Sequence, residues 1–235
     1  KLMQVQEKKI KGFTVLELIV VLALVGILSA VAYPNFSEWN HSREVSRDVD
    51  KINSLIRNTH IQTERGSLAY VQVIFTSTAD GLEVEGKGLS MSTLASKINN
   101  GDDTWNKNAS SRCNITDDNY WDTHKTGAPQ IIKDSVYKIT LTSLSTNLAG
   151  TGAICFSRNG KFYEGGGTLN ATAGSPINEI NLCSVKRSSD CDVTGVLLAD
   201  QKKLYLHAIK WSRYGNINKV KWEVRNEGGR WSDEL

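Results

Sequence analysis

Proline is scarce in this chain, with three residues in 235, and neither charge sign is in large excess. The low proline content excludes a proline-rich linker protein. A content of 40% hydrophobic and 23% charged residues excludes a disordered or collagen-like chain. The 28 basic residues nearly balance the 25 acidic ones, and residues 1–12 alone account for the net charge of +3. A globally basic nucleic-acid-binding protein is therefore not indicated.

Motifs that carry catalysis or bind metals are also missing. The glycines at 165–167 do not open a helix after a strand, as a phosphate-binding loop requires. No Cys-x-x-Cys pair has zinc-site spacing, and the acidic stretches at 102–103 and 117–118 do not match an EF-hand. No histidine has a Ser or Cys nucleophile motif beside it. The histidines are His41, His60, His124 and His207. We therefore expect no enzymatic activity, no metal site and no cofactor.

Acidic and basic side chains, histidine included, are absent from residues 18–37. Twenty helical residues span about 30 Å, which is the thickness of the hydrocarbon core of a bilayer. The first half of the run has no polar face, so lipid or an assembly must cover it. Because basic residues precede the run, we expect its N-terminal end to stay in the cytoplasm and the remainder to be exported.

A cleavable secretory signal is the alternative, since Ala30-Val31-Ala32 fits its cleavage site. Glu17, at the start of the apolar run, argues against it, and so does an amphipathic stripe farther along. The stripe recurs every three or four residues, at Val45, Val49, Ile52, Ile56 and Thr59. We therefore predict one long helix that is kinked at Pro34 and ends near Arg65-Gly66.

Residues 11–18, Lys-Gly-Phe-Thr-Val-Leu-Glu-Leu, resemble the N-terminal motif of type IV pilins and of type II secretion pseudopilins. The likeness extends through Tyr33-Pro34. It implies that a membrane-embedded prepilin peptidase cleaves between Gly12 and Phe13 and methylates the new amine of Phe13. The apolar helix is then kept for assembly with other pilins.

Glu17 lies four residues after Phe13, on the same face of the predicted helix. A carboxylate at the bilayer midplane costs about 2.5–3.5 kcal/mol on insertion scales, and less near a helix start, where the dipole favours negative charge. The Phe13 ammonium of a neighbouring subunit can neutralise it. We expect Glu17 to set the register of assembly; a solvated anion in the interfacial zone is the alternative.

Beyond Gly66 the sequence changes to strand periodicity. Residues 70–75 and 136–141 are predicted strands, and 204–211 can pair with 217–225 as an antiparallel hairpin. In that hairpin we expect Lys219 and Lys221 to face outward. Two loops are predicted, over 99–128 and over 164–181. In the first loop, Trp105 and Trp121 would anchor the segment to the rest of the domain. The fold class is α+β, a long N-terminal helix packed on a small antiparallel sheet.

Four segments are expected along the chain. They are a leader over 1–12, a transmembrane and assembly helix over 13–36, the amphipathic half of the same helix over 37–66, and a β-rich periplasmic domain over 67–235.

Residues 154–166 carry a second resemblance. A strand ending in Phe156, a turn at Asn159-Gly160 and a glycine-rich return are similar to the domain of GspH/FimT/FimU-type minor pilins. This likeness implies a minor type IV pilin that helps to initiate pilus assembly from an inner-membrane platform and joins the filament near its tip. A GspH-like pseudopilin of type II secretion is the alternative.

Four cysteines, an even number in a domain expected to be exported, suggest two disulfides. Three pairings are possible. We favour Cys183–Cys191, because the residues between them are rich in Ser and Asp and make a natural loop. Cys113–Cys155 would then tie the long loop to the sheet.

Residues 201–230 interleave cations with aromatic residues, a pattern that suits a phosphate backbone and stacked bases. Some FimT-like minor pilins bind DNA during uptake, so DNA binding is an alternative function. A solvated strand face or a subunit contact is the interpretation that we favour. The cations are Lys202, Lys203, Lys210, Arg213, Lys219, Lys221, Arg225 and Arg230.

Overall fold

A computed structural model describes a large part of the chain. The described residues are 13–102, 113, 115, 117–124, 138–148, 150–158, 162–165, 179–211, 216–225 and 228–233, without the side chains of 30–35 and 162–165.

One long helix opens the described chain. Helix α1 covers Val15–Glu64 and continues through position 34, where the kink stays a prediction. The shorter helices whose bounds are described are α2 over Met91–Asn99 and α3 over Leu198–Gln201. Single 3₁₀ turns cover Asp118–Tyr120 and Lys202–Leu204.

Ten strands are described, and they form two antiparallel sheets. The first has the order β3-β2-β1-β5-β6 and the second the order β10-β9-β8-β7-β4. The strands are β1 (Tyr70–Thr78), β2 (Gly81–Leu89), β3 (Lys138–Leu141), β4 (Leu144–Thr146), β5 (Thr151–Ser157), β6 (Phe162–Gly165), β7 (Glu179–Ser184), β8 (His207–Trp211), β9 (Ile217–Arg225) and β10 (Gly228–Asp233). The α+β class is confirmed, but the sequence predicted one sheet where the structure has two.

The amphipathic stripe predicted for α1 is confirmed. Four of its members, Val45, Val49, Ile52 and Ile56, are fully buried, and Thr59 is 2% exposed. The four apolar members belong to one core cluster that also contains residues of both sheets. The sheet members of that core include Val71, Val73, Phe75, Ile154, Phe156, Ile180, Leu182 and Ile209. The second half of α1 therefore packs into a core to which both sheets contribute.

The predicted end of the long helix is confirmed as well. Helix α1 ends at Glu64, and Gly66 has a φ of +75°, the left-handed conformation with which helices often terminate. The chain then enters β1 at Tyr70.

The hairpin predicted near the C-terminus is confirmed, since β8 and β9 pair from His207↔Lys221 to Trp211↔Ile217. Strand β1 includes the predicted 70–75, and β3 begins at Lys138 within the predicted 136–141. Strands take both ends of the predicted loop over 164–181, because β6 reaches Gly165 and β7 begins at Glu179.

Strand β1 is buried on both faces. Its Val71, Val73 and Phe75 face α1, whereas Tyr70 and Ile74 belong to a second cluster around the fully buried Trp121. The Gln72 amide nitrogen donates to the backbone oxygens of Cys113 and Ile115, at 2.9 and 3.0 Å. Part of the predicted 99–128 loop thus covers the outer face of the first sheet. Trp105 lies outside the described residues.

The chain divides into two compact units, Lys1–Arg43 and Glu44–Leu235. The division falls inside α1. The leader, membrane helix, amphipathic half and β-rich domain expected from the sequence stay predictions.

An ionic network joins β2 to the covering segment, whose described residues are 113, 115 and 117–124. The Glu85 carboxylate is 3.0 Å from His124 Nε2, and its second oxygen is 3.5 Å from the ammonium of Lys87. Lys87 is almost completely buried and also pairs with Asp118. The hydrogen bond with His124 lowers the pKa of Glu85, and the nearby Lys87 and Lys138 charges add to this effect against the opposing effect of burial.

We predict that Glu85→Gln removes part of the acid sensitivity of folding. Because its folded-state pKa lies below the usual value of 4.5, the stabilisation is present above that pH and is lost as the pH falls through the folded-state value. Denaturant unfolding of the wild type should therefore show a free energy of unfolding that falls below about pH 4.5, and the variant should show a shallower fall.

Glu83→Gln is the matched control, because Glu83 lies on the same face of β2 and pairs with the more exposed Lys138 at 2.8 Å. If both variants have the same pH profile, the Glu85 network does not contribute as described.

Candidate assembly surface

The first part of α1 and the residue pair before it present an apolar surface all round the helix. Its twelve large apolar side chains are 49–81% exposed. They are Phe13, Val15, Leu16, Leu18, Ile19, Val20, Val21, Leu22, Leu24, Val25, Ile27 and Leu28. Exposed apolar area of this extent marks a surface that another molecule or a membrane covers.

Thr14 caps the start of this surface. Its hydroxyl oxygen accepts a hydrogen bond from the Glu17 backbone N–H at 3.2 Å, and its carbonyl accepts from Leu18 N–H at 3.2 Å. Thr-x-x-Glu is the sequence of a capping box, in which the acidic residue sits in the first helical turn. This role of Thr14 was not predicted from the sequence, although a threonine three residues before Glu17 is the pattern of a helix cap.

The cap keeps Glu17 in the first turn of α1, where the unpaired backbone N–H groups and the helix dipole favour a negative charge. Farther along, the Ser29 hydroxyl donates to the Val25 carbonyl at 2.7 Å, so this polar group is satisfied within the helix. The geometry suits a helix whose surroundings supply few hydrogen-bond partners.

Among the side chains that the structure describes, no helical stretch is both long and apolar enough to count as a membrane span.

Both disulfides have the pairing that the sequence favoured. Cys113 bonds to Cys155 and Cys183 bonds to Cys191, with Cα–Cα distances of 5.8 and 5.4 Å. The first attaches the covering segment to β5, and the second closes a loop after β7 beside Leu204 and Leu206. The bonds therefore fix two segments that lie outside regular strands.

The described residues of the two acidic stretches, Asp102, Asp117 and Asp118, have protein partners, whereas Asp103 lies outside the described residues. The Asp117 carboxylate accepts from Asn119 N–H at 3.0 Å, Asp118 pairs with Lys87, and Asp102 lies 3.6 Å from Lys97. Over the described part of the chain, no group of three His, Cys, Asp or Glu side chains could hold a metal ion.

Carboxylates accompany four of the seven described cations in the basic region at 201–230. Lys203 lies 3.4 Å from Asp200, Lys210 is 3.0 Å from Glu179, and Arg225 is 3.4 Å from Glu223. The fourth pair joins Lys219 to Asp50 at 2.6 Å. Lys202, Lys221 and Arg230 complete the described set, and Arg213 lies outside it. This pairing lowers the positive charge that the region offers to a polyanion.

The prediction that Lys219 faces outward is wrong, and Lys221, predicted to face outward with it, lies on the same side of β9. Lys219 pairs across the sheet with Ile209, which belongs to the core shared with α1, so both side chains lie on the helix side. Its ammonium reaches Asp50 on α1, and its side chain is only 15% exposed. The opposite face is also covered, because Trp222 packs on the cluster of Cys183, Cys191, Leu204 and Leu206.

The matches to known proteins each cover a limited part of the chain. A family model described as the prokaryotic N-terminal methylation motif matches residues 8–33. Two curated relatives, each named fimbrial protein and both from Pseudomonas aeruginosa, are 40% identical over 45 residues. That match covers 19% of this chain and 29% of each relative. No solved structure matches.

The resemblance drawn from residues 11–18 is thereby confirmed, and the matched segment contains Gly12, Phe13 and Glu17. The roles of these residues and the likeness to the minor-subunit subtype stay predictions.

We predict that Asp50 and Lys219 are energetically coupled. A double-mutant cycle with Asp50→Asn and Lys219→Gln should give a coupling of about 0.2–1 kcal/mol in the free energy of unfolding, the range for ion pairs near the surface. Denaturant unfolding at low and high salt checks this, and the coupling should shrink with salt.

Lys221 is the control, because it lies on the same side of β9 as Lys219. The cycle with Asp50→Asn and Lys221→Gln should give a coupling near zero. Equal couplings in the two cycles would show that the Asp50–Lys219 contact is not specific.

Proposed function

We propose that this chain, which carries the N-terminal segment of the type IV pilin family, is a minor type IV pilin. It is a structural subunit, not an enzyme, that helps to initiate pilus assembly and joins the filament. The observation that carries the proposal is the apolar surface of residues 13–28, exposed all round the helix within the segment that matches the N-terminal methylation motif.

The proposed pathway begins at the membrane. Prepilin peptidase removes the leader 1–12 between Gly12 and Phe13 and methylates the Phe13 amine. Residues 13–36 hold the subunit in the inner membrane, with its C-terminal domain in the periplasm, until the assembly platform extracts it into the filament. Lipid covers the apolar surface before assembly, and the helices of other pilins cover it afterwards.

Glu17 provides the register in this scheme. The Thr14 cap holds it in the first helical turn, close along the chain to the amine that cleavage exposes. A carboxylate in a low-dielectric environment is costly unless an opposite charge pairs with it. The Phe13 ammonium of a neighbouring subunit supplies that charge, so correctly stacked helices are favoured over displaced ones.

The two curated relatives are named fimbrial proteins, which supports a pilus subunit over a GspH-like pseudopilin of type II secretion. The minor-subunit role rests on the likeness of residues 154–166 to the GspH/FimT/FimU-type domain. DNA binding by the basic region is the less favoured function, because carboxylates accompany Lys203, Lys210, Lys219 and Arg225.

The first prediction from this proposal concerns processing. Protein purified from membranes of cells that contain prepilin peptidase should begin at Phe13. Its mass should exceed that of the unmethylated chain with the same start by one CH₂ unit, because a methyl group replaces a hydrogen. Intact-mass measurement checks both features. Gly12→Val should leave the leader attached, because a β-branched residue hinders access to the cleaved bond. A mature chain that begins at Tyr33 would instead show cleavage of a secretory signal.

The second prediction concerns Glu17. Glu17→Ala and Glu17→Gln should still be processed, but their amount in sheared pili should fall on the order of tenfold, since about 1.4 kcal/mol of lost pairing changes an equilibrium by that factor. Quantitative immunoblotting of sheared and membrane fractions measures the ratio.

Glu38→Gln is the matched control, because it removes a carboxylate from the same helix beyond the uncharged run. This variant should enter pili normally. Normal recovery of Glu17→Gln would show that the Glu17 charge has no part in assembly.

A further inference from the structure

Two aromatic rings and a guanidinium lie together on α1 where the uncharged run ends. The ring centroids of Phe36 and Trp39 are 5.8 Å apart, and the Arg43 guanidinium carbon lies 4.7 Å from the centroid of the Trp39 ring. Spacings of three and four residues place this aromatic–arginine cluster on one face of the helix. Phe36 is 59% and Trp39 51% exposed.

We propose that the aromatic–arginine cluster binds the phospholipid headgroup layer on the periplasmic side of the membrane and fixes the depth of α1 before assembly. The inference rests on the proposed function, because it requires a subunit that is first held in a bilayer.

The length of the helix supports a position of the cluster in the headgroup layer. The uncharged residues 18–37 span about 30 Å as a helix, which equals the hydrocarbon thickness. Trp39 follows two residues later, so its Cα lies about 3 Å beyond the end of that run. The polar headgroup layers bring the full bilayer to about 40–45 Å. Trp39 consequently falls within the outer headgroup layer when the uncharged run fills the hydrocarbon core. The Cα of Arg43 lies about 9 Å beyond the run, and its long side chain leans toward the helix N-terminus, which directs the guanidinium back to that layer.

The chemistry of the cluster also fits a headgroup layer. Tryptophan has an apolar body and one N–H donor, and it is enriched where hydrocarbon meets water. Arginine binds phosphate through several donors at the edge of its planar group, which stays accessible while the face stacks on an aromatic ring. Helical periodicity directs Glu38 and His41 away from the face of the cluster, and Glu44 lies about 100° from Arg43 around the helix. Neither of the acidic residues adjacent to the cluster in sequence therefore lies on the face that would meet phosphate.

Depth-dependent fluorescence quenching in the full-length processed protein tests the proposal. The protein is reconstituted into vesicles of phosphatidylethanolamine and phosphatidylglycerol that contain lipids brominated either near the headgroup or deep in the acyl chain. The difference between wild type and Trp39→Phe isolates the signal of Trp39. We expect the shallow quencher to reduce this signal at least about twofold more strongly than the deep one, because tryptophan settles at the interface.

Two further variants sharpen the test. Trp231→Phe makes the same substitution in β10, and the Trp231 difference signal should show no quenching by either lipid. Arg43→Gln should shift the Trp39 signal toward the deep quencher in vesicles that contain phosphatidylglycerol, because the headgroup contact that limits insertion is lost. Circular dichroism of each variant establishes that the fold is retained.

Flotation of the vesicles distinguishes failure of the inference from failure of the proposed function. If the protein floats with vesicles but Trp39 is quenched equally at both depths, more strongly by the deep lipid, or not at all, the inference is overturned and the proposed function stands. Absence of quenching would also be the result if the cluster contacts only a neighbouring subunit. If the protein does not float, the membrane-held stage of the proposed function fails together with the inference.

Discussion

The packing of one helical stripe against two sheets is the interaction on which the described fold depends. Ile52 and Ile56 are fully buried in a core that receives side chains from both sheets. Burial of each such side chain contributes about 1.5–3 kcal/mol, whereas a partly exposed ion pair such as Asp50–Lys219 contributes at most about 1 kcal/mol. The apolar stripe therefore supplies most of the stability, and polar contacts from the same helix add specificity to the way it is packed.

Those polar contacts lie at the border of the stripe. The Ser143 hydroxyl donates to Asp48 at 2.5 Å, and the Arg57 guanidinium donates to the Ile217 carbonyl at 2.8 Å. Ser143 lies in the turn between β3 and β4, which belong to different sheets, and Ile217 opens β9 of the second sheet. Sliding or rotating the helix would therefore break bonds at two separate places. A buried carboxylate such as Asp48 that lost its partners would be costly. Directional bonds thus define a register that apolar contact alone leaves loosely specified.

Features that depend on local periodicity were predictable from the sequence. Helix α1, its stripe from Val45 to Thr59, its end at Gly66 and the β8–β9 hairpin all follow from spacing and from residues that terminate helices. The second sheet and the segment around Trp121 were not predictable in this way, because they depend on pairing between distant residues. Gln72 and Lys87 would suggest a solvent-facing side of their strands, yet both are buried, since the covering segment supplies carbonyl and carboxylate partners.

The basic region shows that a functional interpretation of the sequence is also limited by contacts between distant residues. Its apparent excess of charge comes from counting only residues 201–230, but Lys219 pairs with Asp50 and Lys210 with Glu179, both outside that range. A polyanion would have to compete with carboxylates already 2.6 and 3.0 Å from these ammonium groups. Affinity for nucleic acid scales with the number of phosphates that are neutralised, so each internal pair reduces the attraction that the sequence suggests. By contrast, residues 13–28 form a helix that is apolar all round and has no polar side to present to water. The need for a membrane or another molecule to cover it is therefore visible in the local sequence. The N-terminal helix was for this reason a better guide to function than the more conspicuous cluster of charge.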